Sequence, residues 1–164
     1  MALTTKNADG SPGESFSYDV AAAHVDASIP TPSVGASINE VPTPAKYFLL
    51  IDGLNGGSTD EHHVGWFEID GFDFDISTAL AGGRATFEPV TVQLSLSDGL
   101  AGVLKDAALG TIVQSVRIEG VTAGPAPVAV YDLTLGNVQI TSAQDSSGQQ
   151  TRLIRWFFGT DFRL

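Results

Sequence analysis

A mainly β fold is predicted by three features of this 164-residue chain. Short apolar or alternating runs recur along its length, clusters of Gly, Pro, Asn and Ser separate them, and one stretch alone carries a helical period. The expected architecture is an antiparallel β-barrel or sandwich of about six or seven strands with one short flanking α-helix, preceded by an extended N-terminal arm.

Residues 1–45 are that arm. Pro12, Pro30, Pro32, Pro42 and Pro44 lie in it, with Gly10, Gly13, Gly35 and many Ser and Thr, and its acids Asp9, Glu14, Asp19, Asp26 and Glu40 face Lys6 as sole cation. Proline fixes φ, removes a donor and pushes the preceding residue toward extended backbone, so Pro30-Thr31-Pro32 and Pro42-Thr43-Pro44 favour an arm without its own core. Ser15-Phe16-Ser17-Tyr18-Asp19-Val20 alternates and reads as one short strand. A disordered tail is the competing reading.

Residues 46–164 form the β domain. Tyr47-Phe48-Leu49-Leu50-Ile51 is an apolar strand ended by Asp52-Gly53. Trp66 to Ile76 alternates, with Phe67 and Ile69 on one phase and Phe72, Phe74 and Ile76 on the other. The flip at Gly71 is the signature of a β-bulge in a bent strand. Ser77 to Arg84 has no period and contains Gly82-Gly83, so it reads as a loop. Val90 to Leu96 is a strand with Val90, Val92, Leu94 and Leu96 inward.

The helix follows, capped by Ser97 or Asp98, with Leu100, Val103, Leu104, Ala107 and Ala108 on one face and Gly110 at its left-handed end. Gly99 and Gly102 weaken it by about 1 kcal/mol each relative to Ala, so packing must hold it. Further strands are expected at Ile112–Glu119, Val128–Leu135, Val138–Ala143 and Arg152–Phe158. Gly120 to Pro127, Gly136-Asn137 and Gln144 to Gln150 serve as turns.

Composition excludes several classes. Lys and Arg number 8 against 19 Asp and Glu, a net charge of −11, which disfavours nucleic acid and anionic membrane as partners. An apolar fraction of 43% argues against wholesale disorder. No apolar window approaches the ~18 residues of a membrane span, and no basic-then-apolar leader opens the chain. With no Cys, disulfides, thiolate metal sites and Cys nucleophiles are excluded.

The densest polar cluster is Ser58-Thr59-Asp60-Glu61-His62-His63. Its residue types suit Zn²⁺, but neighbouring residues of extended chain point to opposite sides, so His62 and His63 do not converge, and only His24 remains elsewhere. A loop closed by Ser58 or Asp60 accepting backbone N–H bonds is favoured instead. Glu68, Asp70, Asp73 and Asp75 fill the polar phase of the bent strand and read as a solvated face rather than a Ca²⁺ or glycosidase site. There is no G-x-S-x-G and no phosphate loop. No catalytic, cofactor or metal residues are assigned. In the terminal strand, Trp156 and Phe158 share one face and Phe157 the other, which implies burial on both sides or a subunit contact.

Tyr47-Phe48-Leu49-Leu50-Ile51-Asp52-Gly53, Gly57-Ser58-Thr59-Asp60 and His63-Val64-Gly65-Trp66-Phe67-Glu68-Ile69 together resemble the opening of the haemolysin-coregulated protein (Hcp) family, the tube proteins of type VI secretion systems. Asp52, Gly53, Ser58, Thr59, Asp60 and His63 stand at the family's turn motif. Gly57 occupies a position where the family commonly has Glu, and Val64 separates His63 from Gly65. Phe87-Glu88-Pro89-Val90-Thr91-Val92, the helix from Ser97 to Gly110, and Tyr131-Asp132-Leu133-Thr134-Leu135-Gly136-Asn137-Val138 follow in the family's order, so the resemblance spans about residues 46–164.

The resemblance implies a non-enzymatic structural subunit without cofactor, whose six-membered rings stack into a hollow tube that can carry effectors. It also implies export from the cytoplasm without a classical signal peptide. Partners would be other copies of the chain, and secreted effectors, sheath and spike proteins. The loop Ser77–Arg84, with Ser77, Thr78, Leu80, Gly82, Gly83 and Arg84, corresponds to the family's contact with a neighbour; Phe16, Tyr18, Trp156 and Phe158 are further interface candidates. Two features depart from the family: the strong negative charge of the domain, and the arm, which can pair with a neighbour's sheet edge. Three alternatives remain open: an extracellular or phage-tail-like filament outside type VI secretion, a ring-shaped effector-carrying module, and a metal-dependent hydrolase using Asp60, His62 and His63.

Overall fold

The computed structural model describes residues 2–6, 12–19, 24–28, 42–78, 85–94, 99–144 and 152–158. In chain order these form β1 (Ala2–Lys6), β2 (Pro12–Asp19), β3 (His24–Ser28), β4 (Lys46–Ile51), β5 (Phe67–Asp73), β6 (Ile76–Thr78), β7 (Ala85–Phe87) and β8 (Val90–Leu94). Helix α1 (Leu100–Leu109), β9 (Ile112–Val121), β10 (Ala129–Gln144) and β11 (Arg152–Phe158) complete the set. Backbone pairing runs β4–β5–β8–β11–β10–β9 and returns to β4, every pair antiparallel. Six strands therefore close into a barrel, the architecture expected from the alternation, and β6 and β7 pair as a separate two-stranded sheet.

Period-2 patterning fills this barrel. Val90, Val92 and Leu94 of β8 are wholly buried, as are Leu49, Ile51, Phe67, Ile118 and Leu133. Cross-strand register aligns Phe67, Leu49, Ile118 and Leu133 in one row across β5, β4, β9 and β10. Burying each such side chain stabilises the fold by about 1.5–3 kcal/mol. The bulge expected at Gly71 is present, as a register shift between Ile69 and Gly71. It keeps Phe72 and Phe74 packed on the core while Glu68, Asp70, Asp73 and Asp75 stay exposed.

Five local expectations are corrected. Gly136-Asn137 is no turn: β10 is one 16-residue strand, and Asn137 takes φ +52° within it. Asn tolerates that left-handed conformation, so pairing with β9 continues on both sides, Gly136 to Ser115 and Val138 to Val113. The bent strand expected over Trp66–Ile76 ends at Asp73, and Ile76 is exposed. Ser77 and Thr78 belong to a strand, β6, because they pair with Thr86 and Ala85 of β7 rather than looping; Leu80, Gly82, Gly83 and Arg84 lie outside the described residues.

The helix is capped by Gly99 with no side-chain bond, not by Ser97 or Asp98. Its buried face is also rotated: Val103 is buried and Leu100 and Ala107 half-buried, but Leu104 and Ala108 are exposed. The rotation has a steric cause. A Cβ at Gly99 would overlap the Asn55 carbonyl and the Phe67 ring, and one at Gly102 would strike Leu54, so the glycine side of α1 lies closest to the barrel. Gly110 ends the helix at φ +63°, as expected.

The arm contributes three strands where one was expected. β1 pairs with β10, Ala2 opposite Thr134 through Thr5 opposite Tyr131; β2 pairs with β1, and β3 with β2. Leu3, opposite Leu133, extends the inward row and packs on the core. The chain then enters β4 through Ala45, whose N–H donates to the Val121 carbonyl at 2.7 Å.

At this end of the barrel Tyr47, Phe72 and Tyr131 form an aromatic cluster with ring centroids 5.3–6.2 Å apart. Burial pushes the Tyr131 phenol up to about 12, with Tyr47 adding to the rise. A raised value favours the neutral phenol, so this contribution to stability is complete below pH 10 and declines as pH rises from 10 toward 12. The expected loss is roughly 1–2 kcal/mol, discounted because the ring is partly solvent-exposed. Tyr131→Phe should flatten this alkaline decline in denaturation experiments. A folded-state absorbance titration with all tyrosines ionising near 10 would contradict it.

Candidate functional site

The family-like turn motif lies on the outside of the barrel wall. Along β4, Leu49 and Ile51 face the interior, so Phe48 points outward, yet it is fully buried. The loop between β4 and β5 covers it. His63 stacks on the Phe48 ring with centroids 4.1 Å apart and planes 2° from parallel, and meets Trp66 edge-on at 5.0 Å.

The loop is shaped from within. Gly53, Gly57 and Gly65 hold φ near +80°, and Gly56 lies so close to Phe67 that a Cβ would overlap its backbone. Ser58 Oγ accepts the Asp60 N–H at 3.2 Å, and Asp60 Oδ1 accepts the His62 N–H at 3.0 Å. Ser58 and Asp60 therefore close the turn as the sequence predicts. Asp52 lies at the β4 exit, its N–H donating to the Ser115 carbonyl at 3.0 Å, and Thr59 is exposed.

Two polar residues of this loop are buried, Ser58 at 8% exposure and His63 at 4%. The His63 Nδ1 lies 2.9 Å from Asp60 Oδ1 and its Nε2 2.9 Å from Glu119 Oε2. Both contacts are hydrogen bonds to ionised carboxylates only when the ring carries two protons; with one proton it satisfies one of them. The bond to His63, helped by the His62 backbone N–H, holds the Asp60 carboxyl below its ordinary range.

The chain of contacts continues across the outer face. Glu119 pairs with Arg117, which donates from Nε and Nη2 to the two oxygens of Asp132 at 2.9 and 2.7 Å. This bidentate bond holds the Arg117 proton more firmly than usual. The guanidinium also lies 5.9 Å from the Trp66 ring centroid, within cation–π range. Arg117, Glu119 and Asp132 were not singled out from the sequence. The signal was opposite charges two apart on the outward phase of β9, which places them on one face without naming a partner.

This arrangement ties the loop to β9 and β10. His62 is exposed while His63 is buried, and both His63 nitrogens face carboxylates, so the two do not meet at one ion. Among the described residues no group of three or more His, Asp or Glu is placed to hold a metal, and no helix is long and apolar enough to cross a membrane.

The interface candidates are dispersed. Phe16 and Tyr18 lie in β2, opposite Ala27 and Val25 of β3; Ser77 and Thr78 lie in β6. Trp156 pairs with Ile140 and Val90, and Phe158 with Val138. Those three partners are buried in the core.

Replacing Glu119 with Ala removes one partner each from His63 and Arg117. The expected loss is about 2–3 kcal/mol, less than the 3–5 kcal/mol typical of a fully buried pair because Arg117 is partly exposed. Urea denaturation measures it; a loss below about 0.5 kcal/mol, the level of an ordinary surface substitution, would show that the tie does not hold the loop.

A family model described as "Type VI secretion system effector, Hcp" matches residues 48–159, the barrel without the arm. Comparison with curated proteins finds no match. Among solved structures, a type six secretion system protein aligns with a TM-score of 0.64 at 18% identity, over 69% of this chain and 78% of the other. Hcp1 from Salmonella typhimurium aligns at 0.60 and 19%, over 69% and 81%, and a type VI secretion system effector from Yersinia pestis at 0.58 and 21%, over 68% and 82%. At these identities the structural likeness is one of fold, and the family match rests on the sequence of the barrel itself. The chain belongs to the Hcp family of type VI secretion systems.

Proposed function

We propose that this protein is a non-enzymatic structural subunit that self-assembles into rings stacked as a hollow tube, with the N-terminal arm clasping neighbouring subunits or rings. The observation that carries this reading is the family match over the closed barrel, residues 48–159. Closure is also a physical reason for the mode of assembly. A closed ring of six strands leaves little edge for uncontrolled strand addition beyond the Tyr131–Thr134 stretch of β10 that β1 covers, so copies associate through loops, outer faces and the arm. Contacts of this heterologous kind close into rings when the rotation between copies permits. Ser77 to Arg84, Phe16, Tyr18, Trp156 and Phe158 remain the proposed contact residues. Effectors, sheath and spike proteins are the proposed further partners, and export without a classical signal peptide the proposed route.

A filament outside type VI secretion is the second reading, favoured by one observation: β1 to β3 lie outside the family match. Electron microscopy of purified full-length protein at two concentrations tests both. Long hollow tubes, more numerous at the higher concentration, are the expected outcome. Isolated rings at both would mean that stacking is supplied by other proteins, and monomers alone would contradict the proposed function.

A further inference from the structure

We propose that the arm is exchanged between subunits: β1 of one copy seats on the Tyr131–Thr134 edge of a neighbour's β10, in the register it adopts within one chain. The inference rests on the tube reading for the presence of neighbours and specifies where the arm would grip them.

β10 is long enough to be shared. One edge pairs with β9; the other pairs with β11 over Val138–Gln144 and with β1 over Tyr131–Thr134. The barrel closes through the β10–β11 segment, so β1 is an addition to a complete ring of strands. Among the described residues β1 is the one strand of the arm that pairs with that ring, since β2 pairs with β1 and β3 with β2. Backbone register aligns Leu3 with Phe16 and Ala27, and Thr4 with Ser15 and Ser28. The described part of the arm is therefore a small sheet attached to the barrel by a single strand.

Chain length permits an arm that reaches a neighbour. Residues 29–45 separate β3 from β4 and, at ~3.3–3.6 Å each, span at most about 60 Å. A domain the size of this barrel is about 35 Å across. That reach lets β1 meet the Tyr131–Thr134 edge of an adjacent barrel as well as its own. Exchange requires no new surface, because every contact of β1 with β10 is the same between copies as within one. In an assembly it also links barrels at high effective concentration.

The absence of Cys makes this contact addressable. Full-length chains carrying either Ala2→Cys or Thr134→Cys, residues opposite each other in register, are unfolded, mixed, refolded together and treated with a short bismaleimide. A covalent dimer several-fold above that of either variant alone is expected, and the double variant should give a ladder of covalent oligomers. An internally linked monomer from the double variant with no dimer from the mixture would overturn the exchange, and so would no cross-link in either. Electron microscopy of the same samples separates the two proposals: tubes without covalent dimers reject the exchange alone, and dimers without tubes reject the tube reading alone.

Discussion

The structure depends on one strand serving two partners along one edge. β10 extends over 16 residues, and Asn137, in a left-handed conformation, lets it continue where a turn would otherwise end it. Its C-terminal half meets β11 and closes the barrel, while its N-terminal half meets β1 and carries the arm. A strand that stopped at Leu135 would leave the barrel open and its interior wet. The row Phe67, Leu49, Ile118, Leu133 and Leu3 shows the consequence, because a single register across this sheet aligns the core with the first apolar residue of the arm.

The outer wall obeys a different constraint. A loop that crosses a sheet must satisfy its own backbone and give the sheet's outward apolar residues a cover. Here Ser58 and Asp60 close the turn, and His63 covers Phe48 by stacking. Polar side-chain contacts run from Asp60 through His63, Glu119 and Arg117 to Asp132, so loop, β9 and β10 are tied by side chains as well as by ladder bonds. Polar residues at the motif positions thus do structural work in holding the first strand connection against the wall that β9 and β10 build.

Local chemistry decides what was legible in the sequence. Val90, Val92 and Leu94 alternate cleanly, the phase flip at Gly71 marks the bulge, and Gly110 marks the helix end, because each signal involves neighbours in the chain. Gly136-Asn137 misled because the same residues suit a turn or a left-handed kink, and only pairing with β9 decides between them. The helix face was misjudged because large apolar residues were weighted over Gly99 and Gly102, whose value is closeness. β1 and β3 were missed since each is only five residues long and the Asp and Ser of β3 carry little strand signal without a partner. In the candidate site, Ser58, Asp60 and His63 were visible as a cluster. Glu119 lies 56 residues from His63, a separation that no local pattern bridges.

The central claim is that the barrel is complete in itself and that the arm is seated on the N-terminal half of β10. Amide hydrogen exchange compared between the full-length chain and one lacking residues 1–41 tests it most directly, since the shorter chain keeps Ala45 at the entry to β4. The account predicts that Tyr131–Thr134 lose protection while β4, β5, β8, β9 and Val138–Gln144 keep theirs. Loss of protection around the whole barrel, or no change at Tyr131–Thr134, would contradict it.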